Sequence, residues 1–224
     1  MIDIPTLDTE LKPGKSSSAG GPPDAGLGLR KDGVFIIRLY NFSANSANLF
    51  RAALRAFVES GSNKLLLDLR GNPGGYLEAA VDIGSWFLPA GEVIVTEDSG
   101  EKGGTKVHRS RGYDAFNKRL RLKMILLVNN GSASASEILA GALQEHGVAR
   151  LVGTRTFGKG SVQELVKITP DTSLKVTVAR WLTPNGTSIS FKGIAPDIEV
   201  KLTPEDLEKH RDPQMDRAIE LLTR

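Results

Sequence analysis

Two short apolar segments, residues 65–69 and 124–128, each run directly into a turn of small residues and then into a helical pattern. Runs of five residues, apolar except for Asp68 and bounded by turn signals, fit a buried strand and are too short for a helix. The first is followed by Arg70-Gly71-Asn72-Pro73-Gly74-Gly75 and a helix over 77–88. The second is followed by Gly131-Ser132-Ala133-Ser134-Ala135-Ser136-Glu137-Ile138 and a helix over 134–146. Strands at 34–39, 92–96, 105–109, 150–152, 188–191 and 198–200, a helix at 44–59 and a hairpin of 163–168 with 173–181 fill the rest. Two short helices, 204–209 and 213–222, close the chain. Strands alternating with helices predict a layered α/β fold.

The 224 residues, 40% of them hydrophobic and 25% charged, supply a full core for one large domain. Residues 9–33, rich in Gly, Pro, Ser and Lys, read as a flexible linker. The reading therefore divides the chain into 1–33, an N-terminal strand and flexible linker, and 34–224, a folded domain. Net charge is +3, and the densest basic group is Lys118, Arg119, Arg121 and Lys123. That group reads as a solvated face rather than a nucleic-acid site. There is no cysteine, so disulfides and cysteine-ligated zinc are excluded. His108 and His146 have no partners at ligand spacing, and no metal site or cofactor is expected. No stretch approaches the roughly 18 apolar residues of a membrane span, and the first residues carry no signal-peptide pattern.

The chemistry concentrates in residues 131–163. Ser134 is set to open a helix, where free backbone N–H groups and the positive end of the helix dipole would stabilise an oxyanion. Ser134 and Glu137 also fit a capping box, in which serine and glutamate cap each other's N–H groups. Further on, Thr156-Phe157-Gly158-Lys159-Gly160-Ser161-Val162-Gln163 places one lysine between glycines. A lysine neutralised by burial can serve as base to a serine nucleophile, a known variant of the serine triad. Residues 153–159 also match the first seven positions of a phosphate-binding P-loop, but Gly160 stands where serine or threonine is needed, and a strand follows instead of a helix. Gly71–Gly75 fits a strand–helix turn or an oxyanion loop and lacks the dinucleotide spacing.

These segments resemble the carboxy-terminal processing (tail-specific) peptidases. The likeness rests on residues 65–75, 131–138 and 156–163, continues through 188–191 and 193–198, and covers about 33–224. It implies the crotonase-like ββα spiral of the tail-specific protease core. It implies Ser134 as nucleophile, Lys159 twenty-five residues on as general base, and Gln163 as the residue that orients the lysine. The Ala135 N–H and a glycine N–H of the Gly74-Gly75 pair, Gly74 preferred, match the oxyanion hole. The implied activity is cofactor-free endopeptidase cleavage near the C-termini of unfolded or flexible proteins, in the periplasm or cell envelope. Family members usually carry a PDZ domain before the segment that here begins at Met1, so a fragment needing a missing domain or adaptor is expected. The rival readings are a ligand-binding module of the same fold and a latent core. The oligomeric state is left open.

Overall fold

The computed structural model describes residues 2–3, 28–116 and 121–224. In chain order the elements begin β1 (Ile2–Asp3), β2 (Gly28–Leu29), β3 (Val34–Leu39), α1 (Ser46–Glu59), β4 (Lys64–Asp68) and α2 (Leu77–Gly84). They continue β5 (Val93–Asp98), α3 (Gly100–Gly103), β6 (Thr105–Arg109), β7 (Lys123–Val128), α4 (Ala135–Glu145) and β8 (Arg150–Gly153). The last are β9 (Ser161–Lys167), β10 (Ser173–Leu182), β11 (Ile198–Glu199), α5 (Pro204–Glu208) and α6 (Pro213–Thr223).

The main sheet runs β1-β3-β4-β7-β8-β11, with β2 also paired to β3. From β3 to β11 all neighbours are parallel, while β1 and β2 lie antiparallel to β3. Alternation along the strands explains why the middles of β3, β4 and β7 are apolar at every position. Phe35, Ile37, Leu39, Leu65, Leu67, Leu69, Leu126 and Val128 face a large core shared with α1, α2 and α4. Val34, Ile36, Leu66, Ile125 and Leu127 face a smaller core under α6, closed by Met215, Ala218 and Leu222. A parallel sheet covered on both faces has no polar side to show. A separate antiparallel sheet, β6-β5-β10-β9, leaves β9 at its edge.

The expected α/β architecture stands, with three local corrections. The linker reading extended to residue 33, yet Gly28–Leu29 pairs with Phe35 and Ile36 of β3, so residues 28–29 already belong to the sheet. Most of the proposed linker lies outside the described residues, as do Lys118 and Arg119 of the basic group. The second helix stops at Gly84 instead of 88, where Ser85 turns its hydroxyl back to the Val81 carbonyl at 2.7 Å. Residues 188–191 form no strand: Ser188 makes one bridge to Leu182, and Phe191 has φ +61, outside the extended region.

One buried charge network joins the two sides of the sheet end. Asp68, 2% exposed at the end of β4, accepts from Arg38 at 3.0 Å and from Arg70 at 2.8 Å. Arg70 also reaches Asp212, the N-cap of α6, at 2.8 Å, and Gln214 at 3.1 Å. Burial alone would push the Asp68 carboxyl up; the Arg70 hydrogen bonds and the charges of Arg70 and Arg38 outweigh it and hold the group below its ordinary 3.8. A depressed carboxylate stabilises the fold above its unfolded value and loses that contribution as pH falls through the folded value. Stability is therefore expected to decline below about pH 4, once Asp68 protonates in the unfolded chain. Asp68→Asn should cost about 3 kcal/mol by leaving two arginines short of their partner, and should flatten the acid limb. Thermal unfolding of both proteins between pH 3 and 7 measures this, with a melting point about 6–12 °C lower expected for the variant at neutral pH.

Candidate active site

Three neighbouring parallel strands, β4, β7 and β8, end side by side, and the loops leaving them carry the three sequence segments singled out above. In open α/β sheets such carboxyl ends are where ligands bind. The 69–76 loop is fixed by Asn72, which is fully buried. Its side-chain N–H donates to the Leu39 carbonyl at 2.6 Å, and its own carbonyl accepts from Ala133 N–H at 3.0 Å and the Ser136 hydroxyl at 2.9 Å.

The three alternating serines are not equivalent. Ser132 and Ser136 are both fully buried, and their hydroxyls donate to the Leu69 and Asn72 carbonyls at 2.8 and 2.9 Å. Ser134 is half-buried, and its hydroxyl donates no hydrogen bond among the described residues. It stands as N-cap of α4 at φ +57 and ψ −117, a region a non-glycine residue seldom occupies. The next N–H, Ala135, has no acceptor among the described residues, as the first turn of a helix allows. Gly74 lies against this corner: a Cβ there would come within 2.5 Å of the Ala133 carbonyl oxygen and 2.8 Å of the Ser134 Cβ.

Gly74 itself requires a correction. Its N–H donates to the Asn72 side-chain oxygen at 2.9 Å, so the preferred oxyanion donor is already engaged. Gly75 N–H has no acceptor among the described residues, because the bridge to Phe42 uses the Gly74 carbonyl and the Tyr76 N–H instead. Of the pair, Gly75 is the glycine with a donor to offer.

Glu137 is the residue the sequence understated. The capping-box arrangement is present, with its carboxylate accepting the Ser134 N–H at 2.9 Å. The same fully buried carboxylate accepts three more donors: the Thr156 hydroxyl at 2.6 Å, Gly158 N–H at 2.7 Å and Lys159 N–H at 2.9 Å. Ser134 and Lys159 thus share one oxygen, Oε2, and their main chains lie side by side. The spacing within 134–137 showed only the local half of this arrangement. These bonds also close the P-loop reading, since the amides of Gly158 and Lys159 face a carboxylate and the loop leads into β9.

The side chains of the lysine turn are placed differently. Lys159 is exposed, and its amine forms no hydrogen bond or ion pair among the described residues; Gln163, early in β9, is exposed as well. The structure brings the main chains of Ser134 and Lys159 together and leaves the Lys159 amine and the Gln163 amide in solvent. His146 Nε2–H donates to the Val93 carbonyl at 2.7 Å, and among the described residues no three potential metal ligands cluster.

Residues 33–200 match the family model described as Peptidase family S41. The chain belongs to peptidase family S41. It is 40% identical over 193 residues to a carboxyl-terminal-processing protease of Synechocystis sp., covering 85% of this chain and 44% of that protein. It is 37% identical over 171 residues to a probable CtpA-like serine protease of Staphylococcus haemolyticus, covering 76% of this chain and 34% of that one. The solved photosystem II D1 C-terminal processing protease superposes with a TM-score of 0.69 at 31% identity, over 81% of this chain and 47% of its own. The chain thus spans less than half the length of each of these S41 relatives. Among its described residues no helix is long and apolar enough to cross a membrane.

Replacing Glu137 by Gln puts an NH2 group against N–H donors in a site closed to water. Leaving such donors unpaired costs about 3 kcal/mol. Glu137→Gln should therefore lower the melting point and speed hydrogen exchange at Gly158 and Lys159 while sparing β3 and β4. Uniform exchange across the chain would show that the carboxylate does not hold this loop.

Proposed function

We propose that this chain is the catalytic core of a serine endopeptidase. One observation carries the reading. Ser134, alone among the three serines, has a hydroxyl that donates to no carbonyl, at a strained helix start, and one carboxylate holds its main chain beside that of Lys159.

In the proposed reaction Lys159 is the base. Its stem is flexible enough to turn the amine from solvent toward Ser134. A polypeptide laid across the Gly158-Lys159-Gly160 turn would exclude water there, and burial favours the neutral amine the reaction needs. Lys159 takes the Ser134 proton as Oγ bonds to the scissile carbonyl carbon. The Ala135 and Gly75 N–H groups receive the oxyanion. The C–N bond then breaks, the lysine proton goes to the leaving amine, and water hydrolyses the acyl-enzyme with Lys159 again as base. Gln163, four residues on from Lys159, is the candidate for orienting the amine. The names of the S41 relatives support cleavage near protein C-termini, and membership of this family supports a cell-envelope setting.

The exposure of Lys159 and Gln163 favours a second reading, a latent core that a further domain or adaptor aligns. The two readings are separated by incubating an unfolded protein and a serine-directed acylating probe with the chain, Ser134→Ala and Lys159→Ala. An active core should cleave the protein and gain one probe mass on Ser134, with both variants at least about 10³-fold slower. A latent core should do neither until a partner is supplied. Equal cleavage by all three proteins would rule out the Ser134/Lys159 assignment.

A further inference from the structure

Phe191 is fully exposed and has φ +61. A bulky side chain at positive φ is a genuine outlier, and a benzyl group standing in water adds nothing to the core. Glycine would meet the backbone requirement at no steric cost. Strain of this kind at a residue without packing value points to a role outside folding.

Its location gives the role. Phe191 N–H donates to the Gly158 carbonyl at 3.0 Å, and residues 189–191 lie flush against the lysine turn. A Cβ on Gly160 would come within 2.2 Å of Ser190 N, and one on Gly158 within 3.0 Å of the Phe191 carbonyl carbon. On the other side of Gly158 is Phe157, 65% exposed, whose N–H donates to the Ser132 carbonyl at 3.0 Å. Among the described residues neither ring stacks on another aromatic. Around them stand exposed cations: Lys159, Lys192, and Arg155, which donates to the Lys192 carbonyl at 3.0 Å.

We propose that Phe191 and Phe157 form an apolar docking surface beside Lys159 that takes a bulky apolar side chain of the substrate polypeptide. The occupant is chosen by its surroundings. The surface is continuous with the candidate site, and its cationic rim disfavours lysine or arginine in that place. The identity of the occupant as substrate rests on the peptidase reading; the docking of an apolar side chain does not.

The test uses Ser134→Ala, which cannot turn over a peptide by the proposed route, and a pair of fluorescein-labelled unstructured peptides that differ only in one leucine or serine. Fluorescence anisotropy should show tighter binding of the leucine peptide. Adding Phe191→Gly should weaken that peptide about tenfold, to the level of the serine peptide, whose affinity should not change. The melting point should stay or rise, because glycine tolerates φ +61. In a cleaving enzyme the same substitution should raise KM for the leucine peptide and leave kcat in place. Equal binding of the two peptides, no binding of either, or an equal loss of both in Phe191→Gly would overturn the proposal. So would a concentration-dependent dimer abolished by Phe191→Gly, which would make the aromatic pair a contact between copies. If the wild-type chain cleaves nothing, the reading of a core active on its own fails, while the anisotropy comparison still decides whether the surface docks an apolar side chain.

Discussion

A single buried carboxylate organises this molecule's candidate site. Removing an ionised group from water is costly unless its lone pairs are met by donors, and Glu137 meets four within 2.9 Å. Two of its donors are amides of the lysine turn and one is the amide of Ser134. Two segments more than twenty residues apart are thereby joined at one point. The carboxylate also sits in the first turn of α4, where the helix dipole favours negative charge. Without it, the turn at 156–160 would bury polar backbone against apolar α4, and the chain would have little reason to pass that close to Ser134.

The parallel sheet supplies the frame on which this contact works. β4, β7 and β8 are hydrogen-bonded neighbours, so their C-terminal loops are adjacent by construction. Both faces of these strands are covered, by α1, α2 and α4 on one side and α6 on the other, which leaves the loop ends as their open edge. The Asp68–Arg70–Asp212 network then pins α6 to the end of β4, next to the glycine loop. Close approach of main chain to main chain is what the glycines permit. Gly74 against Ala133 and Ser134, and Gly160 against Ser190, have no room for a methyl group.

Much of this was legible in the sequence because it is local. The short apolar runs, the small-residue turns and the helix starts each announce themselves within a few positions, and so does the serine that opens α4. The remainder depends on contacts the chain makes across distance. The engagement of Gly74 N–H by Asn72 is a short-range bond, yet whether the loop adopts it depends on Asn72 being anchored to Leu39 and Ala133. The second half of Glu137's role depends on residues 156–159, and no periodicity connects them to it. Phe191 reads as part of a strand from composition, and only its contact with the lysine turn reveals the turned backbone. Burial of Lys159 was the open question for a base, and the structure answers it with exposure.

That exposure divides the site into a rigid part and a movable part. The main chains of Ser134, Gly158 and Lys159 are held by a carboxylate that cannot shift without stranding its donors. The Lys159 amine and Gln163 lie on the solvent side, and Gln163 belongs to β9, whose outer edge is unpaired among the described residues. A fixed nucleophile and fixed oxyanion donors are what electrostatic preorganisation requires. A base that remains in water until a polypeptide covers it is poorly placed to activate Ser134 in an empty site. In the proposed enzyme the fold would therefore set the positions of the reacting groups, while the covering of the lysine turn would set when they react. The device that covers the turn then matters as much as the dyad, and the two phenylalanines flanking Gly158 and Lys159 stand where such a cover would make its first apolar contact.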